Sequence, residues 1–214
     1  MRKYIFKTIY FSIILMLTIS FISCQPGGAE YVSDLDVVLT DYDDQFDFNS
    51  VNTYAIPDEI VEIESNDPGN GDQPDFLDPV FAEPILNKIN ENMQNNGWQR
   101  VDEDQNPDVV VFPSYTTTTN LFYYYDWWYW DWWYPGYGPG WGWWYPYPPV
   151  VTGYTTGSVL IQMTDANNTI LNDQIPVLWT MIVNGLLQGS NASIIQRINT
   201  SIDQGFEQSP YLNN

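Results

Sequence analysis

Apolar residues recur every fourth position in two stretches of this chain and every second position in a third. Phe81, Ile85, Ile89 and Met93 fall on one stripe of a helix, because 3.6 residues make a turn. Asp78 and Pro79 open that helix: a carboxylate to cap the free N–H groups, then a proline in the first turn, where no N–H is needed. Asn95-Asn96-Gly97 closes it. Ile194, Ile198, Ile202 and Phe206 draw a second stripe, with Ser190 or Asn191 as its cap and Pro210 at its end.

The strand pattern is read between and around these helices. LDVVLT (35–40) is a first strand, and FDFNSVNTYAIP (46–57) places Phe46 and Phe48 in alternation before a strand at 51–56. Residues 58–78 are acidic and rich in Pro, Gly and Asn, as an exposed loop is. Trp98 begins a short strand (WQRV), and Asn106-Pro107 turns the chain into DVVVFPSYTTTT. GYTTGSVLIQMTD (153–165) alternates with Val159, Ile161 and Met163 on one face. Ala166-Asn167-Asn168 then reads as a hairpin turn into a return strand over 169–183. Pro176 within that strand points to an edge or a bulge, because proline cannot donate to a ladder. The order predicts an α+β fold: an antiparallel sheet with two amphipathic helices on one face, interrupted by a long aromatic Gly/Pro-rich loop insertion.

The N-terminus changes the setting. Arg2, Lys3 and Lys7 precede an apolar run over residues 9–22. That run is too short to span a ~30 Å hydrocarbon core, and it fits the h-region of a secretory signal. It ends FISC, and Cys24 is the chain's lone cysteine. The string resembles a bacterial lipobox, in which cleavage falls before a cysteine whose thiol carries diacylglycerol; Phe21 stands where leucine is commoner. An ordinary secretory signal is the plainer alternative, but it leaves an exported thiol with no disulfide partner. Two or more acyl chains give stable anchoring where one does not. The expected organisation is therefore a signal peptide over 1–23, a tether over 24–34 that begins at the acylated cysteine, one domain over 35–210 and a tail over 211–214. The expected location is the bacterial cell envelope, at the outer membrane.

Charge narrows the partners. The whole chain carries 6 basic and 27 acidic residues, a net charge of −21. Loss of the signal removes three basic residues, leaving Lys88, Arg100 and Arg197 against 27 acids, or 3 − 27 = −24. Such a surface disfavours nucleic acid and anionic lipid faces alike. No histidine is present, so the commonest general base and metal ligand is missing.

One segment stands apart. Residues 121–149 read LFYYYDWWYWDWWYPGYGPGWGWWYPYPP; more than half are aromatic, and they hold eight of the ten tryptophans. Asp126, Asp131, repeated glycines and five prolines argue against a membrane span. Burying even half of these rings is worth tens of kcal/mol at about 25 cal/mol per Å², and exposing them all makes a patch that soluble monomers avoid. Trp127, Trp128, Trp130, Trp132, Trp133, Trp141, Trp143 and Trp144 are the candidate binding residues. Their partner is a glycan, the membrane interface or a protein. The bland alternative is an insertion that packs on its own domain, or a low-complexity loop with no ligand.

The acids supply weaker candidates. DYDDQFD (Asp41, Asp43, Asp44, Asp47) and DEDQNPD (Asp102, Asp104, Asn106, Asp108) alternate oxygen ligands as calcium loops do. In the second, however, Pro107 replaces the needed glycine and Pro113 sits where a glutamate belongs, so a solvated turn into the next strand fits better. Asp126 and Asp131, set among aromatics, are the carboxylates on which a carbohydrate-active hydrolase would rest. No phosphate loop, nucleophile elbow or metal-spaced cluster is found, so no catalytic residue, metal or cofactor is assigned.

In order, FDFNSVNTYAI, the helix ending in NGW, PDVVV, GSVLIQMTD, VLWTMIVNG and a C-terminal amphipathic helix before a proline resemble the bacterial lipoproteins grouped as domain of unknown function 4136. The likeness runs from about Asp41 to Pro210. Members commonly have a basic residue after the LW pair, where Thr180 sits here. The resemblance implies an envelope address and an α+β fold, and no activity. The chain is thus expected to be a lipid-anchored, non-enzymatic envelope protein, attached to the membrane through Cys24 and meeting a glycan or envelope protein through its aromatic loop. The alternative is a hydrolase using carboxylates beside that loop. The oligomeric state is left open.

Overall fold

The computed structural model describes residues 37–62, 75–116, 142–144, 157–166, 174–184 and 189–214, with 142–144 and 174 as backbone only. The expected signal, lipidation site and tether over 1–34 lie outside them.

Among the described residues ten strands and α-helices follow one another: β1 (Val37–Tyr42), β2 (Thr53–Ala55), β3 (Val61–Glu62), α1 (Pro79–Asn95), β4 (Gln99–Arg100), β5 (Val109–Thr116), β6 (Gly142–Trp144), β7 (Ser158–Asp165), β8 (Gln174–Asn184) and α2 (Asn191–Glu207). Short 3-10 turns sit at Phe48–Ser50 and Pro210–Leu212. The strand order is β1-β8-β7-β5-β2-β4, with β3 also on β5 and β6 on β8.

The sheet is mixed, which corrects the antiparallel expectation. β1, β8, β7 and β5 are antiparallel neighbours. β2 runs parallel to both β5 and β4, β3 parallel to β5, and β6 parallel to β8. The cause is α1. A helix between β2 and β5 makes a crossover, and a crossover returns the chain in its original direction. Alternation along each strand carries no information about this, because it reports the buried face and not the partner's direction.

β2 and β3 behave as one interrupted edge. Ala55 pairs with Val110 and Val61 with Ser114, so six steps on the edge (61 − 55) face four on β5 (114 − 110). The edge thus carries two extra residues between Ala55 and Val61, a stretch in which Pro57 is buried and Asp58 and Glu59 are exposed. Pro113 of β5 sits opposite that gap, in the interval where the β2–β3 edge makes no ladder. Pro176 also stands where a ladder thins. β1 reaches only Trp179 and β7 only Val177, and the β7–β8 register skips Leu178.

Both helices keep their expected caps. The Asp78 carboxylate accepts from the Val80 N–H at 2.9 Å. At the other end of α1, Gly97 has φ +91°; its N–H donates to Gln94 O and the Trp98 N–H to Met93 O, both at 3.0 Å. These two bonds form the Schellman stop that Asn95-Asn96-Gly97 signals. Ser190 caps α2 through Ser193 N.

Ala82, Ile85, Leu86, Ile89 and Met93 of α1, with Ile194, Ile198, Ile202 and Phe206 of α2, join one core with the first face of the sheet: Val109 and Val111, Val159, Ile161 and Met163, Trp179, Met181 and Val183. Phe46 and Phe48 do not alternate along a strand. They enter a 3-10 turn and meet edge-on at 4.9 Å, because the Asp47 carboxylate accepts from Asn49 N–H and bends the chain there. Residues 211–214, read as a tail, are docked: Leu212 is fully buried, its carbonyl accepts from Trp98 Nε1 at 2.8 Å, and Asn214 N–H donates to Asn96 O.

α2 approaches β8 most closely at Gly205. A Cβ there would lie 2.3 Å from Met181 Cε and 3.0 Å from its Cγ. Gly205→Ala therefore forces a buried methionine aside. Overpacking of about 1–3 kcal/mol outweighs the ~1 kcal/mol that alanine gains as a helix former. Thermal unfolding of G205A is expected below wild type, and in a double-mutant cycle G205A/M181A loses less stability than the two single changes summed. Equal or higher stability of G205A would refute the close approach.

Candidate functional site

The aromatic segment is inserted between two central strands. β5 ends at Thr116 and β7 begins at Ser158, and these residues are partners in the ladder. Gly157, at φ +87°, closes the entry by donating its N–H to Thr116 O at 3.0 Å. Ser158 Oγ donates to Asn184 Oδ1 at 2.7 Å, tying this root to β8. Within the segment, Gly142, Trp143 and Trp144 pair with Gln174, Ile175 and Pro176. Of the candidate binding residues, only Trp143 and Trp144 fall among the described ones, in β6. Trp127, Trp128, Trp130, Trp132, Trp133 and Trp141, the carboxylates Asp126 and Asp131, and Cys24 lie outside them.

The sheet face turned away from the helices carries Val110, Phe112, Ser114 and Thr116 on β5, Ser158, Leu160, Gln162 and Thr164 on β7, and Thr180, Ile182 and Asn184 on β8. Every one is buried, Val110, Phe112 and Thr164 fully, and Thr180 and Asn184 at 6 % as the most exposed. Sequence reasoning missed this face. Its Ser, Thr, Gln and Asn residues alternate with the apolar ones and read as a wet side. β1 at the edge is more open, with Val37 46 % exposed.

The acids are occupied by the chain's own donors. Asp108 Oδ2 accepts from Asn52 N–H at 3.0 Å, Thr53 N–H at 2.9 Å and the Thr53 hydroxyl at 2.7 Å. This ties β2 to the start of β5. Desolvation pushes this carboxyl upward, but the three hydrogen bonds together outweigh it and hold its pKa below the ordinary carboxylate value. In DYDDQFD, Asp41 accepts from Tyr42 N–H, Asp43 from Gln45 N–H and Asp44 from the Gln45 amide. Among the described residues no three His, Cys, Asp or Glu side chains converge as a metal site would need.

A second group escaped the sequence, because its members lie far apart in the chain and one of them, Tyr211, falls in the supposed tail. Trp179 Nε1 donates to Ser209 Oγ at 2.9 Å, Tyr211 OH donates to the same oxygen at 3.1 Å, and Ser209 Oγ passes its own proton to Gly205 O at 2.9 Å. Tyr42 stacks on Tyr211 with ring centres 3.7 Å apart, and Phe48 lies edge-on to Tyr42. Burial raises the Tyr211 pKa. Tyr54, whose hydroxyl donates to Asn90 Oδ1 at 2.8 Å, is pushed up to about 12, by desolvation above all. These tyrosines stay protonated and serve as donors, not as bases.

Fold and site together define a class: a mixed sheet with two helices on one face and an aromatic insertion rooted between its central strands. The chain belongs to the family described as Domain of unknown function (DUF4136), whose model matches residues 38–211. A crystal structure of a DUF4136 family protein from Bacteroides thetaiotaomicron is similar, at 33% identity and a TM-score of 0.65, over 83% of this chain and 97% of that one. A PDZ domain protein from Parabacteroides distasonis is a distant neighbour, at 14% identity and TM-score 0.42 over 82% of this chain and 36% of that one. A PelC dodecamer from Paraburkholderia phytofirmans is more distant, at 12% identity and TM-score 0.33 over 83% and 97%. Neither of these two carries weight for function. Among curated proteins none matches this chain.

Asp108→Asn keeps the size of the side chain and removes its charge. Hydrogen bonds to a charged group are worth about 1.5–3 kcal/mol, and a loss at the lower end of that range is expected at neutral pH. A lowered folded-state pKa contributes stability above the unfolded value near 3.9 and loses it as pH falls through the folded value. Acid titration of unfolding free energy should therefore be shallower in D108N below about pH 4. Parallel curves for the two proteins would show that Asp108 is not the group responsible.

Proposed function

We propose that this protein is a non-enzymatic lipoprotein of the bacterial cell envelope, at the outer membrane, anchored through acyl chains on Cys24, with the aromatic segment as its contact surface. The observation that carries this reading is the concentration of eight of ten tryptophans in residues 121–149, inserted between two central strands of a well-packed sheet. Contact residues gather on connections held by a rigid scaffold. Tryptophan and tyrosine join an apolar body to a polar tip, which suits the face of a sugar ring, the membrane–water interface or the anchor of a protein interface. A lipid at Cys24 and a short tether keep the domain within reach of all three. Against catalysis stand the lack of histidine and the commitment of Asp41, Asp43, Asp44 and Asp108 to local hydrogen bonds.

Two measurements test this. Mass spectrometry of the protein from bacterial membranes should find a Cys24 N-terminus carrying diacylglycerol and a further acyl chain, and Cys24→Ser should leave the membrane fraction. A free thiol, or an uncut leader, would defeat the anchor. Tryptophan emission, titrated with phosphatidylethanolamine–phosphatidylglycerol vesicles and separately with peptidoglycan fragments or envelope extract, should shift to the blue with one of these. Deletion of 122–148 should abolish the shift. No shift with any of them would remove the contact role.

A further inference from the structure

We propose that the outer edge of β1 takes an extended segment of another polypeptide as an added antiparallel strand, with a Lys or Arg of that segment set opposite Asp41. Among the described elements β1 is the last strand on its side of the sheet. It pairs with β8 without a break, from Val37↔Asn184 to Tyr42↔Trp179. One further bond fixes which backbone groups are left over. Asp43 N–H donates to Leu178 O at 2.9 Å, which makes these two a hydrogen-bonded pair of the antiparallel ladder. Such pairs recur at every second residue, hence at Asp41, Leu39 and Val37. Val38, Thr40 and Tyr42 therefore aim their N–H and C=O groups away from β8, toward the outer edge.

The two edges of the sheet are finished differently. At the far edge β4 is only two residues long, and the β2–β3 edge carries two extra residues in the stretch that holds Pro57. Short strands and irregularities of this kind discourage pairing with another chain. β1, with the sequence VVLTDY, has no proline, glycine or lysine and no irregularity in its register. Three large apolar side chains stand exposed among the described residues, and two of them, Val37 and Tyr42, sit at the two ends of β1. Strand addition draws affinity from the backbone ladder and specificity from alternate side chains.

Asp41 sets the chemistry of the occupant. Its carboxylate accepts from the Tyr42 N–H at 2.9 Å and so closes one of the outward donors. An added strand places a residue directly opposite Asp41 in a non-hydrogen-bonded pair, where Cα atoms come to about 4.5 Å and side chains are closest. A Lys or Arg there draws the carboxylate to itself and frees the Tyr42 N–H for the new ladder. A Glu or Asp there is repelled. Val37, Leu39 and Asp41 share one face of the strand, on which Leu39 packs with Leu160 and Ile182. In the antiparallel direction the complementary segment therefore runs cation, any residue, apolar, any residue, apolar. A second copy of this chain fits poorly, because β1 offers no cation to Asp41 of its like and the net charge of −21 drives copies apart.

A labelled synthetic peptide, Thr-Lys-Thr-Val-Thr-Val-Thr, titrated with the full chain in mild detergent and followed by fluorescence anisotropy, tests this. Saturable binding is expected, and Glu in place of the peptide's Lys should weaken it about tenfold. Asp41→Asn should erase that difference. N-methylation of the third and fifth peptide residues, whose N–H groups face Thr40 and Val38, should abolish binding, while N-methylation of the fourth, whose N–H faces away, should spare it. Thr40→Pro removes an outward N–H that β8 does not use, and should abolish binding with near-ultraviolet dichroism unchanged. Should T40P unfold, the methylated peptides carry the same test on the wild-type chain. No binding at millimolar peptide, equal affinity for the Lys and Glu peptides, or indifference to the position of the methyl groups would overturn the proposal. So would sedimentation showing a wild-type dimer that the peptide does not displace. Binding on the aromatic segment instead would survive both D41N and T40P, which would sink this inference and leave the proposed contact function standing.

Discussion

β5, β7 and β8 are buried on both faces, and most of this architecture follows from that. A sheet with one wet face alternates cleanly and needs a single layer of helices. Here Val109 and Val111 meet the helices while Val110 and Phe112, pointing the other way, are equally inaccessible. The helices cover the first face, fastened by the approach of Gly205 to Met181 and by the Trp179–Ser209–Gly205 relay, which joins β8 to the end of α2. The relay is saturated: Ser209 Oγ takes two donors and spends its one proton. Removing the serine hydroxyl leaves a buried indole N–H unpaired, and that penalty exceeds the worth of the bond itself.

Both helices were legible residue by residue, because four-residue spacing, a capping carboxylate and a terminal glycine are local signals. The alternation of Val159, Ile161 and Met163 gave their shared face correctly for the same reason. What escaped is what depends on distant chain. The direction of β2 relative to β5 is set by α1 lying between them, and no residue within either strand encodes it. Phe46 and Phe48 alternate in sequence, yet Asp47 takes the Asn49 N–H and makes a turn. Residues 211–214 look like a tail, yet Leu212 reaches Trp98 across more than a hundred residues. Gly205 reads as a weak helix former until the methionine beneath it is known.

The candidate site was legible in composition and not in placement. Eight tryptophans fall in one segment, while the register Thr116↔Ser158 and the pairing of β6 with β8 say where that segment meets the sheet. The burial of the polar members of the second face is not written in the local sequence. Ser114, Gln162, Thr164 and Thr180 are the residues of a solvated face unless partners are brought to them. Buried neutral polar groups of this kind demand donors and acceptors from whatever covers them, so they select their cover more narrowly than an all-apolar face would.

Charge imposes a complementary limit. Beyond the expected signal only Lys88, Arg100 and Arg197 are basic, and each is used within the domain. Lys88 lies 2.9 Å from Glu91 and 3.3 Å from Asp203, linking α1 to α2, and its pKa is raised chiefly by the bond to Glu91. Asn92 reinforces the same Asp203 at 2.8 Å. Arg100 meets Asp58 at 2.7 Å and also donates to Ile56 O, holding the bulged edge between β2 and β3. Arg197 is buried at 8 % exposure and engaged. The exposed remainder is almost uniformly acidic. Such a surface repels copies of itself and anionic lipid faces, and leaves cationic and uncharged partners as the ones it can attract. The chain's uncharged aromatic groups are concentrated in residues 121–149, which hold eight of the ten tryptophans, and the described sheet borders that stretch at Thr116, Ser158 and β6.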